Sequence, residues 1–285
     1  MVKVVVDSTA DIPAEWCKQF DIHVIPLFVR FGEETFRDGV DITRDEFYTR
    51  LVASESMPAT STPTPGAFVE VYERLAQETD AILSIHLSGK LSSTVEVARQ
   101  AAAMVPQVRI EVVDSQYIAM VMVYMAIAAS EAARAGASLD ELVQLVHDIR
   151  QRSVLYVGLD TLRYLEKGGR IGKVRAFLGT LLNVKPIIVL RDGENQPLEQ
   201  ARTYKRMLVR MAELANAHGP LEKLAVLYTS KRETGEALVD QLTQVSYFPR
   251  EHIDVVQMGG VIGAHVGPGG IGVVAIRQQD SRPER

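Results

Sequence analysis

Cysteine is almost missing from this chain: Cys17 is the one thiol in 285 residues. A lone cysteine builds neither a disulfide framework nor a cysteine-based metal site, and a reduced, cytoplasmic setting is expected. The six histidines, at 23, 86, 147, 218, 252 and 265, are scattered without metal-ligand spacing, so no metal is expected from them either. An excess of basic charge is also lacking. The 31 lysines and arginines are outnumbered by 36 acids, for a net charge of −5, which argues against nucleic acid as a partner. Long hydrophobic runs do not occur. The longest uncharged apolar stretch, YIAMVMVYMAIAAS from Tyr117, is closed by Glu131 and Arg134 and falls short of the roughly 20 residues that cross a membrane. It reads as a buried helix, with Met120, Met122 and Met125 either as core or as an adaptable apolar wall. The start, MVKVVVDSTAD, carries no signal-peptide pattern, so export is not expected.

What is present is globular: 47% hydrophobic residues against 24% charged leaves ample core. Short β-branched runs at 2–7, 23–31, 80–87, 109–114, 154–159, 185–190, 224–230, 253–258 and 271–277 alternate with amphipathic helical patterns. That alternation predicts an α/β fold of two α/β domains with mainly parallel sheets. The boundary is placed at 152, giving domains 1–152 and 153–279 and a tail at 280–285. Helix starts are marked by Thr64 before Pro65 and by Ser138 with Glu141. Gly168 and Gly169 stop one helix before a second short one, and the Asp192-Gly193 pair marks a hairpin. Further helices are expected from Tyr204 to Ala217 and around 234–245.

Ligands in open α/β sheets sit beyond the carboxyl ends of strands, so the polar segments after strands come first. They are DST (Asp7, Ser8, Thr9), SGKLSST (Ser88 to Thr94), DS (Asp114, Ser115) and GGVIGAHVGPGG (Gly259 to Gly270). In the second, Ser92 or Ser93 sits at a helix N-cap, where a serine either caps the helix or joins its free amides in holding an anion. The last has six glycines in twelve residues between two strands and matches no phosphate-loop pattern. Its glycines suggest close backbone approach, with His265 carried into the same place. A fifth segment, MPATSTPTPGAF at 57–68, crowds hydroxyls ahead of a helix. Arg202, Lys205, Arg206 and Arg210 form either a solvated helix face or a docking surface for an acidic partner.

In this order and spacing, VVVDSTADIP, MPATSTPTPGAF, LSGKLSSTVEVA, VVDSQ, LRYLEKGGRIG, KPIIVLRDG, ARTYKRML and GGVIGAHVGPGGIGV resemble the DegV family of bacterial lipid-binding proteins nearly end to end. The resemblance implies one long-chain fatty acid, such as palmitate or oleate, bound between the domains, and no other cofactor. Its carboxylate would be held by Ser61, Ser92, Thr60, Ser93 and His265, with Arg170, Gly263 and Asp7 in support. It further implies an acyl-carrying subunit that presents the carboxylate to a fatty acid kinase, with Arg202, Lys205 and Arg206 docking the kinase and no catalytic residue here. The chain departs from the family's usual residues at Thr62, Ser93 and Val95, positions that bear on head-group hydroxyls and chain specificity.

Two other readings start from the same residues. One is a serine esterase or acyltransferase using Ser61 or Ser92 with His265, although no G-x-S-x-G elbow is present. The other is a phosphate-ligand protein built on the glycine-rich segment.

Overall fold

The structure, a computed structural model, describes residues 1–54, 56–178, 184–246 and 248–279. The tail at 280–285 and the end of the second short helix expected before residue 184 lie outside the described residues.

The first half is built on a sheet of order β2-β1-β6-β7, parallel throughout, with β1 at Lys3–Asp7, β2 at Ile22–Ile25, β6 at Ala81–His86 and β7 at Arg109–Asp114. Its two central strands are buried nearly end to end, which is why they read as continuous apolar runs: helices cover both faces. On one face lie α3 (Pro65–Leu75) and α4 (Thr94–Ala103), whose Phe68, Tyr72 and Ala98 pack on Val5 and Ile82. On the other lie α5 (Met120–Arg134) and α6 (Leu139–Arg152).

A second sheet, β10-β9-β8-β13-β11-β12, follows with β8 at Ser153–Gly158, β9 at Lys185–Arg191, β10 at Glu194–Ala201, β11 at Leu221–Tyr228, β12 at Ile253–Gln257 and β13 at Ile271–Arg277. Along β11, Ala225 and Leu227 face α5 and α6, whereas Leu224 and Val226 face α8 (Tyr204–Asn216) and α9 (Arg232–Val245), the two-residue period of a strand. The α5–α6 pair is therefore the middle layer of five. A helix covered on both sides needs apolar residues all round, and Met120, Met122 and Met125 are each fully buried. They are core.

Several expectations needed correction. The second sheet is mainly antiparallel, with β11–β12 its one parallel pair. One cause is the Asp192-Gly193 turn, whose two residues have φ of 52° and 80° and fold β10 straight back on β9. The run 23–31 is two strands: Pro26, which has no N–H for a ladder, separates β2 from β3 (Phe28–Phe31). The latter joins a small sheet β4-β3-β5, with β4 at Glu34–Arg37 and β5 at Ala59–Ser61, so the hydroxyl segment ahead of α3 itself begins on a strand. Finally, the glycine-rich segment is no loop between strands, because Gly260–Val266 forms a helix, α10.

Local signals held. Thr64 caps α3 with Pro65 in its first turn, and Ser138 with Glu141 forms a capping box on α6. The remaining helices are α1 (Ala14–Phe20), α2 (Arg44–Ala53) and α7 (Arg163–Lys167), and a 3-10 turn at Gly172–Phe177 stands for part of the second short helix. Among the described residues no helix is long and apolar enough to cross a membrane.

Candidate functional site

The carboxyl ends of β1, β2 and β6 open toward α7 and α10, and a cavity of about 80 Å³ lies between them. Leu27, Leu87, Leu91 and Ile118 wall it from the first half of the chain, and Leu165, Val261, Ile262 and Val266 from the second. Its polar lining is Thr9, Thr60, Ser61, Thr62, Ser92, Arg170 and His265.

Each polar group is set by local structure. Thr60 and Ser61 end β5, and Thr60 Oγ1 lies 2.9 Å from His265 Nε2. Ser92 stands in the turn before α4, where its Oγ accepts from Thr94 N at 3.3 Å and lies 2.9 Å from Thr94 Oγ1. Arg170 follows Gly169, whose φ of 71° turns the chain out of α7; it donates through Nε to Leu91 O at 3.1 Å and through Nη1 to Gly168 O at 2.8 Å. Asn195 on β10 holds the Arg170 carbonyl at 3.0 Å. His265 is half-buried, and its Nδ1, out of contact with solvent, has no partner. Burial, and then the charge of Arg170, push its imidazole down to about 4, so it is neutral near pH 7. Its Nδ1 rests against Gly168, where any Cβ would collide with it.

The structure thus brings Thr60, Ser61, Ser92, Arg170 and His265 to one cavity, and not Ser93, Asp7 or Gly263. Ser93 is exposed at the N-cap of α4 and makes no capping bond. Asp7 is fully buried beneath the cavity. It accepts from Thr9 N at 3.0 Å, Thr9 Oγ1 at 2.5 Å and Leu87 N at 2.9 Å, so it positions Thr9 and Leu87. Gly263 faces away: a Cβ there would stand 2.6 Å from Tyr48 Oη and 2.7 Å from Phe47 Cε1. Arg202, Lys205 and Arg206 are exposed, just before and within the first turn of α8. Of the departures, Thr62 lines the cavity and Val95 is buried on α4. Thr9, singled out in the DST segment for its place past a strand's carboxyl end but not among the residues expected at the carboxylate, also lines the cavity.

The arrangement is poor for nucleophilic catalysis. His265 contacts Thr60, and no carboxylate orients its other nitrogen, as a triad base requires. Triad spacing does occur, at Ser84 Oγ to His86 Nε2 (2.7 Å) and His86 Nδ1 to Asp7 Oδ2 (3.0 Å), but all three residues are fully buried and Ser84 is also bonded to Tyr72 Oη at 2.8 Å. No substrate reaches them. Among the described residues no group of three or more histidine, cysteine or acidic side chains could hold a metal ion.

Comparison with known proteins extends over the whole chain. The DegV family model matches residues 1–278. A DegV domain-containing protein of Streptomyces coelicolor is 38% identical over 277 residues, covering 96% of this chain and 97% of that one. A fatty-acid-binding DegV family protein from Thermus thermophilus is 33% identical with a TM-score of 0.90, covering 97% of this chain and 99% of that one. A stearic-acid-binding protein from Eubacterium ventriosum has the same TM-score at 26% identity, covering 97% and 98%. This chain belongs to the DegV family.

Proposed function

We propose that the cavity binds one long-chain fatty acid, its carboxylate at the hydroxyl end and its chain along the aliphatic walls. The observation that carries this reading is the division of the lining, with Thr9, Thr60, Ser61, Thr62, Ser92, Arg170 and a neutral His265 among otherwise aliphatic side chains. A carboxylate taken out of water needs several donors, and charge-assisted ones are the strongest. The alkyl part contributes about 0.8 kcal/mol per buried CH2. The cavity of about 80 Å³ is smaller than the roughly 150 Å³ known to hold a benzene, so a long chain enters by parting the walls. The fatty acids named for the Thermus and Eubacterium proteins support the same ligand class.

In this reading residues 1–152 and 153–279 are two units with the acid between them, and the chain is a cytoplasmic carrier rather than an enzyme. It presents the carboxylate to a fatty acid kinase that docks on Arg202, Lys205 and Arg206. Basic side chains in a helix's first turn oppose its dipole, which counts against a purely stabilising role for Lys205 and Arg206.

The deciding experiment is mass spectrometry of a solvent extract of the purified protein before and after incubation with palmitate or oleate; no acyl chain in either would remove the reading. Ser61→Ala and Ser92→Ala should each weaken palmitate binding by about 1–3 kcal/mol, and unchanged affinity in the double variant would remove the carboxylate site. Arg202→Ala should bind lipid normally yet be phosphorylated more slowly by the kinase, and equal rates would remove the docking surface.

A further inference from the structure

Helix α10 carries Val261, Ile262, His265 and Val266 into the cavity wall, yet it is seven residues long. That is too short to persist in water on its own propensity, and its glycines make it weaker still. Its first amides are held by carboxylates from the other end of the chain. Gly259 N donates to Asp11 Oδ1 at 2.8 Å, and Gly260 N donates to Asp38 Oδ1 at 2.9 Å. Just before them, Tyr48 Oη donates to Met258 O at 3.0 Å. A Cβ at Gly259 would collide with Asp11 Oδ1, so glycine there lets the carboxylate reach the backbone.

Asp11 is an unusual clamp. It is 3% exposed, its backbone is left-handed at φ 58°, and its Oδ2 has no hydrogen-bond partner. The Arg44 guanidinium donates to the Asp11 carbonyl at 2.9 Å. Burial pushes the carboxyl up to about 7, with Asp38 and Asp7 adding to it and Arg44 and the Gly259 amide opposing it. Arg44 and Tyr48 on α2, Asp38 after β4 and Asp7 on β1 are the charged and titratable groups around it, and α10 meets it with backbone alone. Glu15 and Cys17 on α1 and Tyr228 on β11 line the same cleft, which lies behind α10 and measures about 600 Å³. An asparagine would accept the Gly259 bond without burying an ionisable group.

We propose that Asp11 and Asp38 are positioning residues for the acyl site, acting through the Gly259 and Gly260 amides to set where α10 presents His265 and its aliphatic wall. The proposal rests on the fatty-acid reading above. Neither carboxylate touches the ligand. An ionised Asp11 grips the Gly259 amide more strongly than a protonated one, so the wall and the affinity follow its ionisation.

The test measures palmitate affinity against pH for the wild type, Asp11→Asn and Asp11→Ala, and follows the Gly259 and Gly260 amide shifts by NMR in the lipid-free proteins. Asp11→Ala should bind about tenfold more weakly, and Asp11→Asn, which keeps the acceptor, should lose less. The ratio of wild-type to Asn-variant affinity, in which the titration of the ligand's own carboxyl cancels, should change through the neutral range in step with the Gly259 amide. Should Asp11→Ala fail to fold, the Asn variant carries the test alone. A flat ratio beside a titrating Gly259 amide makes the clamp purely structural and overturns the proposal, leaving the acyl site standing. If even the wild type takes up no palmitate, the acyl reading has failed and the proposal falls with it.

Discussion

Two histidines in this molecule sit in opposite surroundings. His86 ends a buried strand with both ring nitrogens occupied, in a continuous chain from Tyr72 through Ser84 to His86, Asp7 and Thr9. His265 has one nitrogen on Thr60 and the other on nothing, at the edge of a cavity. The first contains the atoms of a catalytic triad at bonding distance and no route for a substrate. The second has a route and no triad. Satisfied polar groups in a core specify structure, whereas a buried nitrogen left without a partner is rare and asks for an explanation. The two networks meet at Thr9, which Asp7 holds from below and which lines the cavity above.

The largest expected effect comes from breaking the satisfied side. Asp7→Ala leaves His86, Thr9 and the Leu87 amide without their acceptor in a fully buried place, and should cost about 3–5 kcal/mol of stability. Chemical denaturation reads this directly; a loss below 1 kcal/mol would mean that the network is not structural. His265→Ala should do the reverse, weakening palmitate binding by about 1.5–3 kcal/mol while moving stability by less than that. Equal losses in binding and stability would erase the contrast between the two histidines.

How much of this was legible beforehand follows from where each feature draws its stability. The Thr64 cap, the Ser138–Glu141 capping box, the Asp192-Gly193 turn and the apolar run that opens α5 are local chemistry, and each appears where its residues predicted. Helix α10 was illegible because nothing local makes it: Gly259 is held by Asp11 and Gly260 by Asp38, across 248 and 222 residues of chain. Strand β5 was missed because three residues are a strand only beside β3. Strand direction in the second sheet was misread because helices alternate with strands in parallel and antiparallel sheets alike. Family resemblance grouped Thr60, Ser61, Ser92, Arg170 and His265, which the fold brings to one cavity, and propensity alone would have left Ser92 as a cap. Ser93, adjacent and chemically identical, faces solvent, and only the turn geometry separates them.

The comparison can be sharpened without touching either imidazole. Gly168 has an ordinary backbone conformation, so alanine fits the chain there, but its Cβ collides with His265 Nδ1 and stands 3.0 Å from Tyr164 O. Gly168→Ala should displace His265 from Thr60 and lower palmitate affinity toward that of His265→Ala, with overpacking costing about 1–3 kcal/mol of stability. Unchanged affinity would mean that the position of His265 does not matter to the ligand.

The smallest effect is a slope. The folded protein holds His265 at about 4 against an ordinary 6.5, so the unfolded chain binds the extra proton between those values. The stability associated with its neutral form is complete above pH 6.5 and is lost as the pH falls toward about 4. Asp11 runs the other way: raised from 3.8 to about 7, it contributes stability that is complete below 3.8 and lost as the pH rises through 7. Relative to the wild type, His265→Gln should therefore gain stability as the medium is acidified through the first window, and Asp11→Asn as it is made neutral through the second. Melting curves across that range give both differences from one series, and slopes of the same sign in the two variants would mean that these groups do not sit in the environments assigned to them on either side of α10.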